Sequence, residues 1–352
     1  MTIGGEVSAQ GNRGLDDPRL LREWFAVGWS REVEAGGLLA RRILGRDLVL
    51  WRSSDPDGGL HCWLDLCVHR GAKLSLGIIQ KQASGKDEAG DCLVCPYHGW
   101  RYAASGQCVG IPAHPKLTPP AKARARVFQV QERYGVIWTC LGADAGDLPE
   151  FSIAEDAGFR VMLAGPYRFR ALGPRLIENF LDVAHLGIVH AGLLGDPERS
   201  EIEDYEAGMG ERGPIGREIR VWQPDPDGTV SHGKGMGAHV TYQYEVQGPL
   251  TAGFVKLHSE KRFGILAQVA PVDEEFSEMR MVMAMNYGHE IPEQELIGFQ
   301  DLVAGQDRAI VESQRPELLP LDLQAELHLR SDRMAIAYRK WLREIGFTYG
   351  VA

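Results

Sequence analysis

Two short segments of the chain each place one cysteine and one histidine close together. CVHRGAKLSLG contains Cys67 and His69, and CPYHGWRY contains Cys95 and His98. A structural zinc site usually takes its ligands as a cysteine pair and a histidine pair, because each pair comes from one tight turn around a single ion. Mixed pairs instead suit a centre with two inequivalent metal atoms. The two segments must then meet in space, and this requirement constrains the fold more than any other feature of the sequence.

The mixed pairs match the ligands of a Rieske [2Fe-2S] cluster, in which two thiolates hold one iron and two imidazoles hold the other. We expect Cys67 and Cys95 to bind the first iron, and His69 and His98 to bind the second. Neutral imidazole ligands raise the reduction potential, so the cluster accepts electrons from a flavin or ferredoxin donor. A structural zinc protein is the competing interpretation. The remaining cysteines have no mixed partner and are interpreted as small buried residues: Cys62, Cys92, Cys108 and Cys140.

A second group of polar residues lies on a helix predicted around Arg175 to Leu194, in PRLIENFLDVAHLGIVH. At about 100° per residue, Asn179, Asp182 and His185 fall along one face of this otherwise apolar helix. Such a stripe is costly without binding partners. His190 lies five residues after His185, so both imidazoles reach one ion only if the helix breaks between them.

Two histidines need a third ligand, because non-haem ferrous oxygenases use two histidines and one carboxylate. The segment IGFQDLVAGQDRAIVESQRP reads as a helix in which Asp307 shares an apolar face with Phe299, Val303 and Ile310. A carboxylate on such a face needs a cation, so Asp307 is the predicted third ligand. The same helix offers two weaker choices, Asp301 and Glu312.

The character of the sequence changes near residue 150. Before it, short β-type runs alternate with turns, including the hairpin turn DPDGG at Asp55–Gly59. After it come a helix, several long β-type runs, and helices predicted near 292–314 and 331–346. The long runs are EIRVWQ, HVTYQYEV, RFGILAQV and EMRMVMAMNY. We expect an α+β protein with an N-terminal segment at 1–24, an all-β Rieske domain at 25–150 and an α+β catalytic domain at 151–352.

Composition and charge narrow the class of partner. The 352 residues are 44% hydrophobic and carry a formal charge of −10. With no dense Lys/Arg run, this charge argues against nucleic acid or an anionic membrane and suits a basic protein surface. The first residues lack a signal-peptide pattern, and no apolar run approaches the roughly 18 to 20 residues of a membrane span. We expect a cytoplasmic protein whose paired cysteines bind metal rather than form disulfides.

Taken together, CVH, CPYHGW and NFLDVAHLGIVH resemble the motifs of the oxygenase component of Rieske non-haem iron oxygenases. The likeness covers nearly the whole chain. The chain resembles the homotrimeric branch that includes phthalate, vanillate and dicamba oxygenases and caffeine-type N-demethylases. In GIPAHP, ERYGVIW and AGLLGDP it resembles the saxitoxin-pathway Rieske hydroxylases more closely still. The resemblance implies a helix-grip (START-like) catalytic domain, with His185, His190 and Asp307 as ligands of a mononuclear Fe(II).

The resemblance also implies a role for Asp182. In this family an aspartate at that position bridges an iron-ligating histidine and a cluster histidine of the neighbouring subunit, across which the electron passes. Chemically, a carboxylate one turn before His185 orients its imidazole and raises its basicity. The competing interpretation is a local cap or ion pair. Asn179, on the same predicted face, is the second catalytic candidate. The implied partners are two further copies of the chain and a flavin/ferredoxin-type reductase that takes its electrons from NAD(P)H.

We therefore expect an enzyme that uses O2 and reductase electrons to monooxygenate a small, cyclic organic substrate, by hydroxylation or by O- or N-demethylation. The substrate pocket is predicted to take residues from the strands with Tyr242 and Met285 and from the helix with Leu181. Two alternatives stay open: cis-dihydroxylation of an aromatic ring, and a Rieske electron-transfer protein whose second domain only binds a partner.

One departure from the family is the spacing of the two cluster motifs. There are 25 residues between His69 and Cys95, because of the polar insertion Gln80–Asp91. Long surface insertions cost little closure entropy. We expect a longer solvated loop that leaves the ligands in place.

Overall fold

The computed structural model describes residues 13–55, 59–81, 90–228 and 237–352. The centre of the predicted hairpin turn, 56–58, most of the polar insertion, 82–89, and the first half of the N-terminal segment lie outside the described residues. The chain divides into two compact units. The N-terminal unit is Leu21–Asp147, and the C-terminal unit is Leu148–Ala352 together with the described residues before Leu21.

The N-terminal unit is built from antiparallel strands, as the sequence predicts. Its strands are β1 Phe25–Trp29, β2 Leu38–Ile43, β3 Arg46–Arg52, β4 Leu60–Leu64, β5 Ile78–Lys81, β6 Asp91–Val94, β7 Arg101–Ala103, β8 Cys108–Gly110, β9 Val127–Arg133 and β10 Val136–Cys140. Six form one sheet in the order β1-β10-β9-β4-β3-β2, and four form a second in the order β5-β6-β7-β8.

Aromatic residues from several strands form the core beneath the cluster motifs. Trp51 packs edge-on against Trp63, with ring centroids 5.2 Å apart, and Trp63 packs edge-on against Tyr102 at 6.4 Å. Edge-to-face contacts of this kind are the favourable arrangement for buried rings. Cys67 and Cys95 are buried in the same hydrophobic core as these aromatic residues. The sheets therefore give the two motif loops a rigid floor.

The C-terminal unit is α+β. Its strands are β11 Arg160–Phe169, β12 Glu206–Met209, β13 Pro214–Gln223, β14 Ala238–Gly248, β15 Thr251–His258, β16 Lys261–Pro271 and β17 Ser277–Met285, and its α-helices are α1 Gly173–Leu181, α2 Glu293–Ser313 and α3 Arg333–Glu344. The strands form one antiparallel sheet in the order β11-β17-β16-β15-β14-β13-β12. The four long β-type runs lie in β13, β14, β16 and β17, and α2 and α3 confirm the two later predicted helices.

The helix predicted around Arg175 to Leu194 is wrong in its extent. It ends at Leu181, and Asp182 has an extended backbone with φ −82° and ψ 131°. The Asp182 side chain accepts a hydrogen bond from the backbone N–H of Ala184 at 2.8 Å, which offers the backbone an alternative to continuing the helix. Asn179, Asp182 and His185 consequently do not share a helix face. His185 lies in a separate 3-10 turn, Ala184–Gly187.

Helix α2 buries a slightly different stripe from the one predicted. Val303 is buried and Asp307 is half-buried as expected, but Ile310 is 47% exposed. Val311 is buried instead. Residues four apart lie on nearly the same face of an α-helix, so the face that contains Val303 and Asp307 continues to Val311. Among the described residues, no helix is long and apolar enough to cross a membrane.

Candidate functional site

Two loops of the N-terminal unit carry the mixed Cys/His pairs. The first follows β4 and the second joins β6 to β7. In each loop a glycine four residues after the cysteine, Gly71 or Gly99, donates its N–H to the cysteine carbonyl oxygen. These glycines have φ of +73° and +67°, a left-handed conformation that glycine adopts without strain. Each loop therefore turns back tightly enough to present its cysteine and histidine together.

The four predicted cluster residues lie together. Cys67 and Cys95 are each 2% exposed, and their side chains interact. The ring of His69 lies 4.7 Å from that of His98 and stacks on Trp100 at 4.4 Å. Nδ1 of His69 is buried, with no hydrogen-bond partner among the described residues. A buried, unpaired imidazole nitrogen beside two buried thiols fits the donor set of a Rieske cluster.

Tyr102 was not identified from the sequence, although it touches this group directly. Its hydroxyl lies 3.1 Å from Sγ of Cys67, and the residue is fully buried on β7. Burial, together with Cys67, raises the pKa of Tyr102 well above its usual range, so it stays a neutral donor. Hydrogen bonds to ligand sulfur atoms tune the potential of an iron–sulfur cluster. Its place seven residues after Cys95, on the strand that follows the loop, is the only sequence signal.

The predicted ligands of the mononuclear iron also converge. Nε2 of His185 lies 3.5 Å from Oδ1 of Asp307, and Nε2 of His190 lies 3.1 Å from the same atom. The three side chains offer ligand atoms that all lie within 4.8 Å of one another. His190 is almost fully buried, and His185 and Asp307 are half-buried. The carboxylate comes from α2 and both histidines come from the segment after α1, so two separate chain segments define the site.

The second nitrogen of each imidazole has a side-chain partner. Nδ1 of His185 lies 3.2 Å from Oδ2 of Asp182, and Nδ1 of His190 lies 2.8 Å from Oε1 of Gln306. These oxygens fix the proton on Nδ1, which leaves the lone pair of each Nε2 facing Asp307. Two lone pairs and a carboxylate that face one another fit a divalent cation bound by two histidines and one carboxylate. Gln306 was missed because a glutamine next to a ligand gives no sequence signal.

Asp182 is held as an ionised carboxylate. Burial raises its pKa, but the hydrogen bonds from His185 and from the backbone N–H groups of Ala184 and His185 outweigh burial and lower it below its usual value. The two weaker carboxylate choices do not join the site. Asp301 accepts from the hydroxyl of Tyr167, and Glu312 accepts from the backbone N–H of Arg170.

An apolar pocket adjoins His185, His190 and Asp307. Asn179, Tyr242 and Met285 line it, and α1 contributes Phe180 rather than the fully buried Leu181. From Met279 onward, every second residue of β17 lines it: Met279, Met281, Met283 and Met285. The alternation in EMRMVMAM was the sequence signal for this wall. Methionine side chains adapt to ligand shape, so the wall suits a small apolar molecule.

Comparisons with known proteins agree with this arrangement. Residues 23–128 match the family model for the Rieske [2Fe-2S] domain, and residues 169–346 match the model for the vanillate O-demethylase oxygenase C-terminal domain. The chain is 32% identical to methylxanthine N1-demethylase NdmA of Pseudomonas putida, over 94% of this chain and 90% of that protein. It is 35% identical to the oxygenase component of dicamba O-demethylase of Stenotrophomonas maltophilia, over 47% of this chain and 46% of that protein.

A solved structure of Pseudomonas putida CBB5 NdmA with caffeine superimposes with a TM-score of 0.77 at 29% identity, covering 94% of this chain and 92% of that chain. Each family model covers most of one unit, and the matched ranges include the four Cys/His residues, the group of His185, His190 and Asp307, and all of the pocket lining except Met162. The chain therefore belongs to the Rieske non-haem iron oxygenases, as an oxygenase component with a [2Fe-2S] domain and a mononuclear iron domain of the vanillate O-demethylase type.

Proposed function

We propose that the chain monooxygenates a small cyclic organic substrate, by hydroxylation or by demethylation through an unstable hydroxymethyl product. The observation that carries this proposal is the pocket: it is lined mainly by methionine and aromatic side chains, and His185, His190 and Asp307 form part of its lining. A C–H bond of a bound molecule is thereby held beside the metal-binding atoms. The relatives named above act on methylxanthines and dicamba, which are small ring compounds.

In this proposal Cys67, His69, Cys95 and His98 hold the [2Fe-2S] cluster, and His185, His190 and Asp307 hold Fe(II). The iron, when bound, activates dioxygen at coordination positions that the three side chains leave open. The protein fixes the imidazoles through Asp182 and Gln306 and excludes water from the reacting carbon with its apolar wall. Asn179 lines the pocket and has a polar group available to the substrate.

Electron delivery is the second part of the proposal. A flavin/ferredoxin-type reductase would supply electrons to the cluster that Cys67, His69, Cys95 and His98 would hold. Three copies of the chain would form a ring that brings the cluster site of one copy next to His185, His190 and Asp307 of another. Asp182 is suited to connect them, because it binds Nδ1 of His185 while its side chain stays 33% exposed. A carboxylate has about four acceptor positions, so lone pairs are left for a histidine of a neighbouring copy.

Iron analysis tests the ligand assignment. The wild-type protein should contain about three iron atoms per chain, two in the cluster and one at the mononuclear site. Asp307→Ala should remove one iron atom and leave the low-temperature resonance of the reduced cluster unchanged. Asp301→Ala is the matched control, since it deletes an exposed carboxylate from the same helix. Equal iron content in both variants contradicts the assignment.

Product analysis with labelled dioxygen tests the reaction. Monooxygenation places one labelled oxygen atom in the product, or in the formaldehyde released by demethylation. Two labelled atoms in one product would instead indicate cis-dihydroxylation. A reduced protein that transfers electrons but consumes no dioxygen with any substrate would indicate an electron carrier.

A further inference from the structure

Lys256 is a buried cation in the wall of the apolar pocket. It lies on β15, where the strand register places Tyr242 of β14 and Phe263 of β16 on either side of it. The residue is 4% exposed, and its Nζ lies 5.6 Å from the centroid of the Phe263 ring. Burial lowers the pKa of this ammonium group to about 8, against the opposing charges of Asp225 and Asp227. Because burial of an ammonium group is costly without acceptors, this lysine is suited to bind an acceptor group in the pocket.

The hydrogen bonds around Lys256 leave unused donors on two side chains. An ammonium group only donates, so Oε1 of Gln223 faces Nζ at 3.2 Å, and Nε2 of Gln223 faces the Tyr242 hydroxyl at 2.8 Å. The Tyr242 oxygen therefore accepts, and its own O–H is left to donate. Within the described part of the chain, neither Nζ nor this hydroxyl makes another hydrogen bond.

The nearby carboxylate of Asp227 is shared with two other side chains. It also lines the pocket, but its oxygens lie 3.0 Å from Nδ1 of His258 and 2.5 Å from Nζ of Lys261. Asp227 is therefore not a dedicated counter-ion for Lys256. An anionic ligand would supply acceptors for the unused donors of Lys256 Nζ and the Tyr242 hydroxyl.

Aromatic rings connect this point to the metal-binding side of the pocket. The ring centroid of Phe180, on α1, lies 5.4 Å from that of Phe254. Phe254 lies 5.2 Å from Tyr242 and 6.1 Å from Phe263, the two strand neighbours of Lys256. These rings line the same pocket as Lys256 and as His185, His190 and Asp307, so a flat molecule packed on them can contact both groups.

We propose that Lys256 and Tyr242 determine specificity by together binding an oxyanion, such as a carboxylate, on the edge of the substrate away from the reacting carbon. Charge-assisted hydrogen bonds are roughly twice as strong as neutral ones, so the pair selects an anion over a neutral molecule of the same shape. This inference rests on the proposed function for the identity of the reacting carbon, whereas the binding itself is measured without turnover.

The test uses 2-naphthoate and its neutral, isosteric amide 2-naphthamide. Calorimetric titration of the iron-loaded protein, without reductase, should show wild type binding naphthoate at least about ten-fold more tightly than naphthamide. Lys256→Met, which keeps the length of the side chain, should abolish this preference, and Tyr242→Phe should weaken naphthoate binding several-fold. Lys340→Met is the matched control, because it removes the same charge from an exposed position on α3 and should keep the preference.

Gln223→Glu separates charge recognition from a structural role of the lysine. It leaves Lys256 in place but gives it an internal carboxylate at the position of Oε1, so naphthoate should lose its advantage while naphthamide binding is little changed. Melting temperature and iron content of each variant show that it is folded.

Three results would overturn the inference: equal binding of both ligands by wild type, a preference that survives in Lys256→Met, and no binding of either ligand. Substrate-dependent oxygen uptake, driven by a surrogate reductase, is measured in parallel. Uptake without any anion preference overturns the inference and leaves the proposed function standing. A Lys256-dependent anion preference in a protein that consumes no oxygen supports the binding site and counts against the proposed function.

Discussion

Changing Tyr102 to phenylalanine should lower the reduction potential of the cluster. The hydroxyl of this buried residue lies 3.1 Å from Sγ of Cys67 and stays protonated because burial raises its pKa. A hydrogen bond donated to a ligand sulfur stabilises the reduced cluster more than the oxidised one, since reduction adds negative charge. Removing the donor therefore disfavours reduction.

The size of the shift follows from the value of one hydrogen bond. A buried hydrogen bond is worth about 0.5 to 1.5 kcal/mol, and for a one-electron couple about 1.4 kcal/mol corresponds to about 59 mV. We expect the potential of Tyr102→Phe to lie about 20 to 65 mV below that of wild type. A redox titration followed by the resonance of the reduced cluster measures this directly.

Tyr97→Phe is the matched control for this prediction. Tyr97 lies in the same motif loop, but its side chain is largely exposed, so loss of its hydroxyl should leave the potential unchanged. An unchanged or raised potential in Tyr102→Phe, with the cluster fully assembled, would refute the argument that this hydroxyl donates to the cluster ligand. An equal fall in both variants would refute it too, because the effect would then be a general one of the loop.

Two further predictions concern the C-terminal unit. Asp182→Asn keeps the shape of the side chain but removes its charge. In single-turnover experiments it should slow electron transfer from the reduced cluster to the iron by at least about an order of magnitude, while the iron content stays near that of wild type. An unchanged rate of transfer would show that Asp182 is only a local cap. Arg339 is 2% exposed and binds both carboxylate oxygens of Glu178 as well as Glu326. Among the described residues, Arg339→Met leaves Glu178 only its longer contact with Arg175 at 3.4 Å, so it should lower the free energy of unfolding by about 1 to 3 kcal/mol, as measured by urea denaturation; a loss below about 1 kcal/mol would place these charges in water.

The cluster motifs were predictable because their chemistry is local. In each loop the cysteine, the histidine and the glycine with positive φ lie within five residues, so spacing alone predicts which side chains one turn presents. The distance between the loops along the chain mattered little, since the first loop follows the end of β4 and the second follows the end of β6. Tyr102 was missed because its contact with Cys67 depends on how β7 packs under the loop.

The helix after Pro174 shows where periodicity fails. The spacing of Asn179, Asp182 and His185 predicts that they share one helix face. In the structure the Asp182 side chain accepts a hydrogen bond from the backbone N–H of Ala184, and the helix ends at Leu181. His185 and His190 still lie close together, but not because they share a helix face. A 3-10 turn places His185 opposite Asp307, and His190 follows the turn.

Recognition of the substrate depends on contacts that one segment of sequence cannot reveal. Lys256 of β15 faces the pocket because the strand register places it between Tyr242 of β14 and Phe263 of β16. A shift of one residue in that register would turn the lysine to the opposite face of the sheet and leave Gln223 without a cation to fix its amide. The metal ligands of this family are carried by short motifs, whereas the charge that selects a substrate is set by strand register. Members that share every motif quoted above can therefore differ in the molecules they bind, and the register around Lys256 is where this chain's preference should be sought.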